Sequence, residues 1–259
     1  MNILVILRAV RDRAGFTVNR RAQKIFVKRE QHIINPADKN ALEAALALAG
    51  DGVTAVALGG AAAEDALRQA RAMGAGRALR VCDSTLERVG GPDAGVVTAA
   101  LERLEGYLGG VDLIVLGAAV LDADLAQVGP RLAAALGWPF VEGAHKLERG
   151  GDGQPAVAAV VTRSGSYRRL EADLPAVVSI ACDSNRPRYA RAANVVAVYT
   201  STDAVETLTA ADLRLTSAEM TPLTEVRGQS FPPERELGSR LEGSLDDLGA
   251  QLAHALRHT

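Results

Sequence analysis

The chain has 259 residues, of which 48% are hydrophobic, 23% charged and only 3% aromatic, and its net charge is −2. This length supports a substantial core built mainly from small aliphatic side chains, and the balanced charge argues against a general attraction to nucleic acid or to anionic membranes. Cys82 and Cys182 lie far apart with no Cys-x-x-Cys pair, and His32, His145, His254 and His258 lack metal-ligand spacing, so neither a disulfide framework nor a metal cage is suggested.

In chain order, Ile3–Leu7 reads as a first strand. The run is too short for an export signal and lacks a basic leader and a cleavage site. A helix opens at Asn35-Pro36, with Asn35 as N-cap, Pro36 at the first helical position, Asp38 placed to complement the helix dipole, and Leu42, Ala45, Leu46 and Ala49 on one face. The strand Thr54–Leu58 follows, then a helix over Glu64 to Met73 closed by Gly74, and the strand Ala78–Val81. A helix opening near Asp93 puts Val97, Leu101, Leu104 and Leu108 on one side. The strand Leu113–Leu116 stops at Gly117, a loop carries Asp122 and Asp124, and a further helix ends before Gly137-Trp138-Pro139.

Beyond Pro139 the strands Val141–Leu147, Ala156–Thr162, Tyr167–Ala172 and Ala176–Ile180 are separated by a turn at Arg149 to Gly153 and a hairpin turn at Ser164-Gly165-Ser166. From about Pro187 the chain is polar and interrupted. It ends in a helix with Ser244 as N-cap and Leu245, Leu248, Leu252 and Leu256 on one stripe. No apolar run approaches the ~20 residues that span a bilayer, so no membrane insertion and a cytoplasmic location are expected. The pattern predicts an α/β fold: a Rossmann-like parallel sheet flanked by helices, with an antiparallel extension and a C-terminal arm. The expected division is a nucleotide-binding α/β domain over residues 1–185 and a recognition loop with a C-terminal partner-binding arm over 186–259.

The stretch Asp112 to Pro139 has the layout of a nucleotide site, because ligands of open α/β sheets sit outside the carboxyl ends of parallel strands and helix N-termini offer free N–H groups. Asp122 and Asp124 read more readily as caps of that loop than as a general acid/base pair. Trp138 reads as a packing residue, and no nucleophile with an adjacent base is visible, so no catalytic residue is assigned.

Taken in order, several segments resemble the small (beta) subunit of electron transfer flavoproteins. They are the first strand followed by Arg8, His32-Ile33-Ile34-Asn35-Pro36-Ala37-Asp38, Ala70-Arg71-Ala72-Met73-Gly74-Ala75, and Asp112 to Gly117. The match continues through Asp122 to Gly129, Gly137-Trp138-Pro139, Leu174-Pro175-Ala176-Val177-Val178, and Asn185 to Asn194. The resemblance implies a subunit that binds AMP and pairs with a larger alpha subunit holding most of a shared FAD. Its flavin takes electrons from flavin dehydrogenases and passes them on, for example to a quinone reductase. The implied cofactor-binding positions are Ile6, Arg8, Asn35, Pro36, Ala37, Asp38, Leu58, Gly117, Val120, Asp122, Asp124, Ala126, Gln127, Val128 and Gly129. The implied partner-binding positions are Pro187, Arg188, Tyr189, Ala192 and Asn194.

The chain departs from the family pattern at two places. The family's loop commonly ends Asn-Gln-Thr-Gly, where this chain has Ala126, Gln127, Val128 and Gly129. A basic residue followed by Gln is common after the strand's glycine, where it has Ala118 and Ala119. Each lost side-chain hydrogen bond is worth roughly 1–3 kcal/mol, so AMP is expected to bind weakly or give way to another ligand. Likewise, Ala192 stands where a leucine commonly anchors partner dehydrogenases, a loss of about 2 kcal/mol of burial. The alternative functions are a stand-alone adenine-nucleotide-binding module and an adenylating enzyme. The first lacks its Gly-x-x-Gly loop after Gly117, and the second has Arg8-Ala9-Val10 where a Ser-Gly-Gly loop belongs.

Overall fold

Uncharged runs of Ile, Leu, Val and Ala form strands buried on both faces, and these make the centre of the molecule. The computed structural model describes residues 1–87, 92–120, 126–150, 156–224, 230–233, 238 and 240–257. The chain begins β1 (Ile3–Ile6), β2 (Ala9–Arg11), β3 (Phe16–Asn19), β4 (Lys24–Val27), β5 (His32–Ile34), α1 (Pro36–Ala49), β6 (Val53–Leu58), α2 (Ala61–Met73) and β7 (Arg77–Cys82). It continues α3 (Ala94–Leu108), β8 (Leu113–Gly117), α4 (Val128–Leu136), β9 (Phe140–Arg149), β10 (Ala156–Arg163), β11 (Ser166–Asp173), β12 (Ala176–Ile180), α5 (Ala192–Thr200), β13 (Glu206–Thr209) and α6 (Leu245–Arg257).

Nine strands form one sheet in the order β11-β10-β9-β12-β8-β1-β6-β7-β13. From β9 to β13 the neighbours run parallel, while β10 and β11 add antiparallel strands at one edge. The expected parallel sheet, flanking helices and antiparallel extension are therefore present. Side chains alternate across β1: Ile3 and Val5 pack with Leu42, Leu46 and Leu67 of α1 and α2, whereas Leu4 and Ile6 pack with Leu101, Leu104 and Leu132 of α3 and α4. Each face of the sheet thus has its own aliphatic layer.

Local chemistry sets the ends of the elements. Asp93 caps α3 by accepting from the Val96 N–H at 3.0 Å. Gly137, at φ 70°, closes α4 in the left-handed conformation that favours glycine, and the Trp138 N–H reaches the Ala133 carbonyl. Ser164 and Gly165, at φ 50° and 76°, form the two-residue turn between β10 and β11.

Six elements are absent from the sequence reading. The connection from β1 to α1 holds two short antiparallel pairs, β2 with β5 and β3 with β4. The segment after Pro187 contains α5, and β13 joins β7 at the sheet edge.

Candidate functional site

From β1 the chain moves through β6 to β7 on one side, then returns to place β8 on the other side of β1. Such a reversal opens a crevice at the carboxyl ends of the two strands on either side of it. Arg8 follows β1, Gly117 ends β8, and the N-terminus of α1 enters between them. The crevice is pinned by Asp38, whose side chain is fully buried. Its Oδ2 accepts from the Arg8 N–H at 2.9 Å and from Arg8 Nε at 2.8 Å. Its Oδ1 accepts from Arg8 Nη2 and, at 3.0 Å, from the Gly117 N–H. Arg8 Nη2 also donates to the Gly117 carbonyl at 3.0 Å. One carboxylate thereby joins the ends of β1 and β8 to the first turn of α1.

Asp38 stands in the first turn of α1, where a carboxylate complements the helix dipole, and it is also the buried partner of a guanidinium. Asn35 departs from expectation: its side chain makes no cap hydrogen bond. Instead Nδ2 donates to the Ala119 carbonyl at 2.7 Å, and its backbone N–H donates to the Arg8 carbonyl. Pro36 supplies the first helical residue without needing an N–H donor. Gly117 is required by packing, since a Cβ there would lie 2.4 Å from Asp38 Oδ1 and 2.6 Å from the Ala37 and Asp38 backbone. Gly129 is similarly constrained, 2.9 Å from the Phe140 ring.

Of the remaining positions expected to bind cofactor, Ile6 and Ala37 are buried, and Leu58 and Val120 half-buried. Ala126 and Gln127 are exposed just before α4, while Val128 and Gly129 are buried in its first turn. Asp122 and Asp124 lie outside the described residues. The first turn of α4 retains backbone N–H groups that suit an anion. The crevice side chains Arg8, Asn35 and Asp38 already bond to the protein itself.

The positions expected to bind a partner are held by a second set of contacts. Asn40 Nδ2 donates to both the carbonyl and Oδ1 of Asn185, and Asn185 Nδ2 returns a bond to the Asn40 carbonyl. One helical turn further along α1, Glu43 accepts from the Arg188 N–H, Nε and Nη2 at 2.8–2.9 Å. Burial pushes the Glu43 pKa up, but the three bonds and the charge of Arg188 outweigh it and hold the carboxyl below its ordinary value of 4.5. Pro187 is half-buried beside this clamp, and Tyr189 projects with 93% of its surface exposed. Ala192 and Asn194 are not in a loop, as the sequence reading had them, but in the first turn of α5. Ala192 is exposed and Asn194 Nδ2 donates to the Ala72 carbonyl.

Arg68 of α2 was not among the candidate residues. Its Nη1 donates to the Val198 and Ser201 carbonyls, closing the C-terminus of α5. Nothing in the spacing pointed to it, because its partners lie 130 residues or more away. Beside Tyr189, a cavity of about 330 Å³ is lined by Met73, Val195 and Tyr199 among others. Among the described residues no cluster of metal-ligating side chains comes together, and no helix is long and apolar enough to cross a membrane.

The family model described as "Electron transfer flavoprotein domain" matches residues 24–213. The electron transfer flavoprotein subunit beta of Thermoanaerobacterium thermosaccharolyticum is 31% identical, covering 99% of this chain and 98% of its relative. That of Clostridium acetobutylicum is 33% identical over 73% and 71% respectively. Subunit CarD of the caffeyl-CoA reductase–Etf complex of Acetobacterium woodii is 29% identical over 77% and 75%. The relative that spans nearly the whole chain is a beta subunit, and the chain belongs to the electron transfer flavoprotein family.

Proposed function

We propose that this chain is the beta subunit of a heterodimeric electron transfer flavoprotein and a carrier rather than an enzyme. An alpha subunit holds most of the FAD, and this chain completes the site. The flavin accepts electrons from a flavin dehydrogenase and delivers them to a downstream acceptor such as a quinone reductase. The relative named as a subunit of a caffeyl-CoA reductase–Etf complex supports assembly with a redox enzyme. Residues 1–185 supply the nucleotide-binding unit, while residues 186–259 supply the partner-facing one, working in the cytoplasm.

The observation that carries this reading is the state of the crevice at β1 and β8. Arg8 and Asn35 are committed to Asp38 and Ala119, so what the crevice offers a ligand is largely backbone at the start of α4. Backbone N–H groups can hold one phosphate. They do not make a complete dinucleotide site, for which a Gly-x-Gly-x-x-Gly turn after the first strand is the usual device. The residues therefore fit a weakly bound AMP phosphate and a flavin retained mainly by another chain. Tyr189, held out by the Arg188–Glu43 clamp, takes over the anchoring role that Ala192 is too small to fill.

The test is flavin absorbance of the chain purified alone and coexpressed with an alpha subunit encoded beside it. A colourless lone chain and a yellow complex are expected. Stoichiometric FAD on the lone chain would overturn the shared site.

A further inference from the structure

We propose that the β3–β4 hairpin is a docking finger for the flavin-holding subunit, laying an apolar face onto an apolar protein surface ringed by carboxylates. This rests on the heterodimer reading above and extends it by assigning the contact surface. In the antiparallel register Phe16 opposes Val27 and Val18 opposes Ile25. Directly opposed residues share a face and alternate residues return to it, so Phe16, Val18, Ile25 and Val27 form one wholly apolar face. It is open: Val18 is 54%, Ile25 53% and Val27 56% exposed.

A lone two-stranded hairpin is marginal in water unless something covers it, yet this one is built to hold its shape. The Lys28 N–H donates to the Gly15 carbonyl at 2.9 Å, and the Asp12 N–H donates to the Gln31 carbonyl at 2.8 Å. A Cβ on Gly15 would lie 2.1 Å from the Arg29 carbonyl oxygen, so the two strands close tightly at their base. At the tip, Asn19 Oδ1 accepts from the Ala22 N–H.

Charge identifies the occupant. Between Arg11 and Gln31 there are seven Lys and Arg against two Asp and Glu, a local net charge of +5 in a chain whose total is −2. Arg11 pairs with Glu30. Among the described residues Arg20, Arg21, Lys24, Lys28 and Arg29 pair with no carboxylate, although all are exposed. A complementary surface must therefore bring its own carboxylates.

Two features favour protein over lipid. The face is mostly β-branched, the kind of surface that packs against another sheet or helix. The tip, which would enter a bilayer first, carries Arg20 and Arg21 and no aromatic side chain, unlike interfacial anchors. The ribbon is also rooted at the crevice, since β2 leaves directly from Arg8 and β5 leads directly into Asn35. A subunit seated on the hairpin thus stands beside the nucleotide site. An apolar face that is always exposed in the lone chain calls for a constitutive partner rather than a passing one.

The experiment measures affinity of this chain for the coexpressed alpha subunit with Val18→Asp plus Ile25→Asp, and separately with Arg20→Glu plus Arg21→Glu. The first pair is expected to weaken the complex at least about tenfold, with the circular dichroism and thermal midpoint of the lone chain unchanged. The second is expected to slow association and flatten its salt dependence. If the aspartates melt the hairpin, Val18→Thr plus Ile25→Thr keeps the β-branched shape while removing apolar surface, and decides the point. A wild-type complex indifferent to these changes overturns the docking finger alone. Failure of the unmodified chain to form any complex overturns the heterodimer reading and the finger with it. Binding to vesicles of phosphatidylserine and phosphatidylcholine that the same substitutions abolish, with subunit affinity unchanged, assigns the hairpin to lipid instead.

Discussion

Asp38 shows how one side chain serves several elements at once. It accepts from both the Arg8 guanidinium and the Gly117 N–H, and it is sealed from water. Removing one partner of a buried pair strands the other, which costs about 3–5 kcal/mol. Asp38→Ala is therefore expected to lower the unfolding free energy in urea by that amount. Asp38→Asn, which keeps one acceptor oxygen, should cost less. A loss below about 1 kcal/mol for Asp38→Ala would mean that water or a neighbouring side chain replaces the carboxylate. The sequence made Asn35 to Asp38 legible as a helix start, because Asn-Pro before an apolar stripe is a local signal. It could not show what their side chains do: Ala119 and Gly117 lie 84 and 79 residues from their partners, so the Asn35 cap gave way to a tertiary hydrogen bond and Asp38 gained a second role beside its place at the helix N-terminus.

The clamp between α1 and the segment leading into α5 is an electrostatic joint, and its pH dependence follows from Glu43. Because the folded-state pKa lies below the ordinary 4.5, the clamp contributes stability above that pH and loses it as pH falls through 4.5 toward the lowered value. The protection of the Arg188 amide against hydrogen exchange, which rests on Glu43 Oε2, is expected to fall over that interval while the β1 and β8 amides stay protected. Glu43→Gln should remove the pH dependence. An Arg188 amide equally protected on both sides of pH 4.5 would show that the Asn40–Asn185 bonds alone hold the segment. Legibility at this scale followed burial. Strands β1, β6, β7, β8 and β12 were readable because both faces are covered and the apolar run is continuous. Helix α5 was not, since Val195, Val196, Val198 and Tyr199 carry β-type side chains and its docking depends on Arg68, far away in sequence. Edge strand β13 is four residues of mixed polarity, too short for an alternation signal.

Across the whole molecule the layered α/β body is self-sufficient, while α6 is not. Its N-terminus carries the expected cap: Ser244 Oγ donates to Asp247 Oδ2 at 2.6 Å, and the Asp247 N–H donates back to Ser244 Oγ. Yet Leu245 is 89% and Leu256 72% exposed and Leu248 only half-buried, so the stripe read from the sequence is real as a pattern but is left largely uncovered by the described residues. An isolated helix shorter than ~12–15 residues is marginal in water, and α6 has 13 residues. Its folding is accordingly tied to a second surface, which under the proposed function belongs to the alpha subunit. Leu252→Asp combined with Leu256→Asp should leave the urea midpoint of the lone chain within the error expected for surface changes, about 0.5 kcal/mol. The same pair should lower heterodimer yield and the FAD retained with it. The reverse pattern, a destabilised lone chain with undiminished heterodimer, would place the stripe against the parent domain and leave subunit pairing to the rest of the molecule.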